Sequence, residues 1–147
     1  MALARILVVD DDPDTAVVLK IALEYHGYRV DIFSDPQKAL SEYEPMRYDL
    51  ALIDLRMSGL SGFELYDKLA QMDEDMAVFF MTGYDYSNVA HLQCRYPHIS
   101  SDHYIRKPLD VEKLIKLIKK RMQELPSRKQ DFFPNSQSIE DSGYLSA

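Results

Sequence analysis

The sequence predicts an α/β protein: a (βα)5 chain folded into a doubly wound parallel sheet with helices on both faces, a three-layer sandwich. Three observations point there. Apolar runs of strand length at 6–9, 50–53 and 77–81 are continuous, as strands buried on both faces require. Helical patterns alternate with them, and two open on a cap followed by proline, Asp12-Pro13 and Asp35-Pro36. The chain has 147 residues, the size of one domain around one hydrophobic core.

Residues 5–9 form the first strand, which ends in Asp10, Asp11 and Asp12. A helix follows over 13–26 with Asp12 as its N-cap. Val17, Val18, Ile21, Ala22 and Tyr25 make its apolar side, and Gly27 ends it. Residues 29–33 form the second strand, where Val30 and Ile32 alternate with polar neighbours as at a sheet edge. A helix from Pro36 to about residue 44 leads to the third strand, 49–53, which stops abruptly at Asp54. Next come a helix over 61–72 carrying Phe63, Leu65, Tyr66 and Leu69, and a fourth strand that ends in Thr82 and Gly83. Residues 84–101 resist assignment; 88–93 suits a short helix that Pro97 stops. A short fifth strand, 103–106, precedes Lys107-Pro108. Asp110 caps a last helix striped by Val111, Leu114, Ile115, Ile118, Met122 and Leu125. From Pro126 the composition turns to Ser, Gln, Asn, Asp and Lys. The expected organisation is a folded domain over 1–125 and a disordered tail over 126–147. Right-handed crossovers and the order 2-1-3-4-5 are expected for the sheet.

Bulk properties exclude several classes. A net charge of −7 is the wrong electrostatics for direct nucleic-acid binding. No apolar stretch approaches the ~20 residues of a membrane span. Cys94 is the only cysteine, which rules out an intrachain disulfide and favours a reducing, cytoplasmic setting. The lysines of the last helix (113, 116, 119 and 120) and Arg121 read as a solvated face.

Asp54 alone has two readings, a cap or turn residue or a reactive group. The other strand ends decide between them. Strand one delivers Asp10 and Asp11, strand three Asp54, strand four Thr82, strand five Lys107. In a parallel sheet these ends share one edge. Three crowded carboxylates need cations: Lys107 supplies one charge, and a hard divalent ion with oxygen ligands, Mg²⁺, supplies the rest. One carboxylate then remains as a nucleophile toward phosphorus, with the Thr82 hydroxyl and the Gly83 N–H available to phosphoryl oxygens.

Asp10-Asp11 after the first strand, Asp54, Met57, Gly62, Thr82-Gly83 and Lys107-Pro108, in this order and spacing, resemble the receiver domain of two-component response regulators, the CheY-like family of flavodoxin-like topology. The resemblance covers roughly residues 4–125. It implies that Asp54 is the phosphoacceptor for a sensor histidine kinase or phosphotransfer protein. It implies Mg²⁺ on Asp11, Asp54 and the backbone carbonyl of Arg56, with Asp10 acting through a water. It further implies that Lys107 pairs with the phosphoryl group before a cis proline bond, and that Thr82 and Tyr104 move as a switch that changes binding to a downstream protein target. A monomer, or a dimer formed on phosphorylation, is expected. Arg56 and Tyr84, each two residues beyond a site residue, would shield the phosphoryl group from water. Ser58 departs from the family, which commonly has proline there, and this leaves the loop geometry open.

Two rivals belong to other classes. A haloacid-dehalogenase-type phosphatase also uses an aspartate nucleophile with Mg²⁺, and residues 10–12 contain Asp-x-Asp. Its usual Thr or Val is Asp14 here, and Asp54 would go unexplained. A pseudo-receiver that binds partners without phosphorylation would not need the intact Asp10, Asp11, Asp54 and Lys107. The spacing His91-x-x-Cys94-x-x-x-His98, with His103 nearby, superficially suits zinc, but a proline interrupts it and no second cysteine completes it. Phe132-Phe133 reads as an inert remnant. Too few residues follow Leu125 for an output domain, so the expectation is a stand-alone switch.

Overall fold

The computed structural model describes residues 4–83 and 94–125. The elements are β1 (Arg5–Val9), α1 (Pro13–Tyr25), β2 (Arg29–Phe33), α2 (Pro36–Glu42), β3 (Leu50–Asp54), α3 (Gly62–Met72) and β4 (Ala77–Thr82). A 3-10 turn (Ser101–His103), β5 (Tyr104–Arg106) and α4 (Val111–Glu124) complete them. The short helix expected at 88–93, the position of Tyr84, and the tail at 126–147 with Phe132 and Phe133 lie outside the described residues.

All strand pairs are parallel, in the order β2-β1-β3-β4-β5 that the sequence predicts. Side chains alternate across the pleat, so each apolar run feeds two cores. Leu7, Val9, Ala51, Ile53, Val78 and Phe80 pack with Leu65 and Leu69 of α3. Ile6, Val8, Leu50, Leu52, Phe79 and Met81 pack with Leu19 and Leu23 of α1 and Leu114 and Ile118 of α4. Each of these side chains larger than alanine contributes about 1.5–3 kcal/mol on burial. That margin lets β3 carry a carboxylate, Asp54, into a site only 5% exposed.

The helix starts follow the caps. Asp12, Asp35 and Asp110 accept the backbone N–H groups of Asp14, Gln37 and Lys113. Ser61 and Glu64 form a reciprocal capping box at the head of α3.

One expectation is reversed. The buried side of α1 is Ala16, Leu19 and Leu23. Val17, Val18, Ile21 and Tyr25 point outward, exposed by 45%, 54%, 64% and 86%. Both sides of this helix are apolar, so periodicity alone does not choose between them. The sheet selects the side spaced i, i+3, i+7, which lies along one line of the helix surface.

The loop from β3 to α3 is closed tightly. Gly62 N–H donates to the Leu55 carbonyl at 3.0 Å. A Cβ on Gly62 would lie 2.7 Å from Leu55 Cα and collide with the Asp54 carbonyl oxygen. Backbone atoms of a buried strand cannot give way, so Gly62→Ala is expected to cost roughly 1–3 kcal/mol by overpacking. Urea unfolding of the variant against the parent chain measures this; equal midpoints would contradict it.

Candidate functional site

The strand register brings the polar residues to one edge. Asp54 pairs with Met81 across β3–β4, and Thr82 pairs with Arg106 across β4–β5. Thr82 is therefore flanked by the strands that carry Asp54 and Lys107, and it is buried, 3% exposed. Asp10 follows β1 directly and is fully buried. Lys107 follows β5, its N–H bonded to the Thr82 carbonyl at 2.7 Å, and its bond to Pro108 is cis.

One ammonium bridges two carboxylates. Lys107 Nζ donates to Asp10 Oδ2 at 2.9 Å and to Asp54 Oδ2 at 3.2 Å. The remaining oxygens of the pair take backbone donors: Asp12 N–H on Asp10 Oδ1 at 2.9 Å and Arg56 N–H on Asp54 Oδ1 at 3.2 Å. Asp11 is exposed, and its Oδ2 accepts the Ser58 N–H at 3.2 Å. One oxygen from each of Asp10, Asp11 and Asp54 lies within 4.8 Å of the others.

Electrostatics set these groups apart. Burial first, and the neighbouring Asp10 second, push the Asp54 carboxyl up to about 6, against the pull of the Arg56 N–H and Lys107. Burial opposes the charge on Lys107, but its hydrogen bond to Asp10 and the fields of both carboxylates outweigh that, and its pKa lies above the usual lysine value. One lysine thus does not neutralise the edge.

The donor set suits a hard cation. All side-chain ligands are carboxylate oxygens, and each retains lone pairs beyond its present bond. Ligands bonded at about 2.1 Å lie within about 4.2 Å of one another, so these three oxygens, within 4.8 Å, would need only small side-chain movement to hold such a cation.

Of the residues singled out in the sequence, Asp10, Asp54 and Lys107 make direct contact, Asp11 joins them at the rim, and Thr82 stands at the end of the intervening strand. The Arg56 N–H donates to Asp54 Oδ1 at 3.2 Å. Tyr104 is inside, 1% exposed, with its ring stacked on Phe80 at 5.5 Å. The zinc reading finds no support among the described residues. His98 Nε2 is bonded to the Tyr66 hydroxyl at 3.0 Å, His103 stacks on Phe79 at 4.3 Å, and Cys94 is exposed. His91 lies outside the described residues. The Ser58 contact was not legible in the sequence, where the missing proline is its only signal.

The raised pKa has a stability consequence with a definite sign. A carboxyl whose folded pKa exceeds its unfolded value favours folding while protonated, and that contribution is lost as pH rises from 3.8 through about 6. Above that range ionised Asp54 strains the metal-free fold. Asp54→Asn is expected to stabilise the metal-free chain at neutral pH by on the order of 1–3 kcal/mol. The gain should vanish near pH 4; denaturant midpoints in EDTA across this range test it.

Comparison with known proteins identifies the family. The family model of the response regulator receiver domain matches residues 6–119. The transcriptional regulatory protein YkoG of Bacillus subtilis is 30% identical over 133 residues, covering 89% of this chain and 56% of that protein. The response regulator ArlR of Staphylococcus aureus is 31% identical over 131 residues, covering 86% and 56%. The chain spans about half the length of these curated relatives. Among solved structures, a CheY-like receiver domain protein of Methanospirillum hungatei aligns with a TM-score of 0.68 at 26% identity, covering 88% of this chain and 99% of that one. The response regulator TrrA of Thermotoga maritima, in complex with Mg²⁺-BeF, aligns at 0.62 and 28% identity, covering 80% and 98%. With its sheet order, its acidic edge and its bridging lysine, the chain belongs to the response regulator receiver domain family.

Proposed function

We propose that this chain is a phosphorylatable switch in which Asp54 accepts a phosphoryl group from a phosphohistidine on a sensor histidine kinase or phosphotransfer protein. The observation that carries the reading is the buried Asp54 carboxylate at the end of a rigid strand, bridged through Lys107 to Asp10 and close to Asp11. Asp10, Asp11, Asp54 and the carbonyl of Arg56 are the groups that would hold Mg²⁺. When bound, the ion neutralises charge on the phosphoryl oxygens. An Asp54 oxygen forms the new bond to phosphorus as the P–N bond to the donor imidazole breaks, and the electron pair stays on the ring nitrogen. Lys107 balances the incoming charge, while the Thr82 hydroxyl and the Gly83 N–H donate to phosphoryl oxygens. The domain thereby promotes its own modification, and water later cleaves the acyl phosphate.

Residues 1–125 would form the signalling unit. Thr82, and Tyr104 behind it, would carry the new charge into altered binding of a downstream protein. The outward apolar side of α1, which begins at Val17 beyond the Asp12 cap, would offer a phosphodonor protein a docking surface. The phosphatase rival loses support because the family model that matches residues 6–119 is the response regulator receiver domain.

Incubation with Mg²⁺ and acetyl phosphate, followed by mass spectrometry, tests the reading. An acid-stable, base-labile adduct on Asp54, abolished by Asp54→Asn, is expected. An adduct on Asp10 would favour the phosphatase, and no adduct at all the phosphorylation-independent binding module.

A further inference from the structure

The three carboxylates of the edge are not held alike. Asp10 and Asp54 are buried, and each is fixed by Lys107 and a backbone N–H. Asp11 is exposed, and among the described residues its carboxylate has one hydrogen bond, from the Ser58 backbone N–H at 3.2 Å. An exposed aspartate without an anchor spreads over its rotamers and turns toward water.

The donor is presented by a loop with little freedom. Leu60 is buried, 6% exposed, and Met57 packs against the core. Leu60 N–H returns to the Ser58 carbonyl at 3.1 Å, and Gly59 takes the left-handed backbone, φ 86°, that this turn requires. At the far end Gly62 is locked against β3. The loop after Asp54 therefore reaches 47 positions back along the chain to hold Asp11.

We infer that the Ser58 backbone N–H is the positioning group for Asp11, holding the one exposed carboxylate of the trio toward the cation site and so setting the affinity of this chain for Mg²⁺. This rests on the proposed Mg²⁺ reading. The bond occupies one lone pair of a carboxylate that has several, so positioning does not block a cation. Hydrogen bonds to ligating carboxylates commonly govern affinity by one to two orders of magnitude. The role belongs to the N–H and not to the hydroxyl, and proline at this position would remove it.

Titration calorimetry with MgCl₂ on the full chain tests the inference, using Ser58→Ala, which keeps the N–H, and Ser58→Pro, which lacks it. The parent and Ser58→Ala are expected to bind alike and Ser58→Pro roughly tenfold more weakly, with thermal unfolding in EDTA unchanged. Equal or tighter binding by Ser58→Pro overturns the inference, as does weakening of Ser58→Ala to the same degree. A parent chain that gives no Mg²⁺ heat overturns the metal reading itself, and the inference with it, an outcome recognisable because it precedes any variant. Should Ser58→Pro not fold, amide hydrogen exchange at Ser58 in EDTA decides. Exchange slowed in the parent and released in Asp11→Ala supports the inference; equally fast exchange in both overturns it.

Discussion

The structure turns on one ammonium group between two buried carboxylates. Two like charges about 4 Å apart repel by roughly 4 kcal/mol at the effective dielectric of a protein edge. Lys107 meets both Asp10 and Asp54 and cancels much of that repulsion. It can do so because β5 delivers it beside Thr82, with its own N–H fixed to the Thr82 carbonyl. The compensation is incomplete, and burial with the neighbouring Asp10 still pushes the Asp54 carboxyl up to about 6. An edge built this way keeps surplus negative charge in a low-dielectric setting, which is the physical condition for attracting a small hard cation.

Rigidity comes from the sheet. The residues before Asp54 are fully buried on both faces of β3, so the carboxylate cannot retreat from the edge. The backbone beyond it is equally confined, since Gly62 lies where no Cβ fits. The aromatic layer on one face, Phe63, Tyr66 and Phe80 with Tyr96, ties α3 to the residues that precede β5. Asp67 anchors Tyr96 through a hydrogen bond of 2.8 Å. Charge at Asp54 is thereby placed at the edge of a close-packed frame.

Most of the fold was legible in the sequence because continuous apolar runs mark strands of a parallel sheet. The site was legible for a topological reason: strand ends in such a sheet share an edge whatever the details of packing. That is why Asp10, Asp54 and Lys107, separated by up to 97 positions, could be placed together before any distance was known. The buried side of α1 was not legible. Val17, Val18, Ile21 and Tyr25 outnumber Ala16, Leu19 and Leu23, and hydropathy favours the larger set. The Ser58 contact was hidden for a different reason. A backbone N–H carries no side-chain signature, and only the path of the loop decides what it meets.

These two blind spots share a consequence. Lys107 and backbone donors fix Asp10 and Asp54 in place, whereas Asp11 is held by a single exposed hydrogen bond and the apolar outer side of α1 is exposed. In the proposed reading the chemistry therefore resides in the buried pair, and control resides at the rim. α1 starts from the Asp12 cap directly after Asp11, so the first turn of the helix adjoins the Asp11–Ser58 contact.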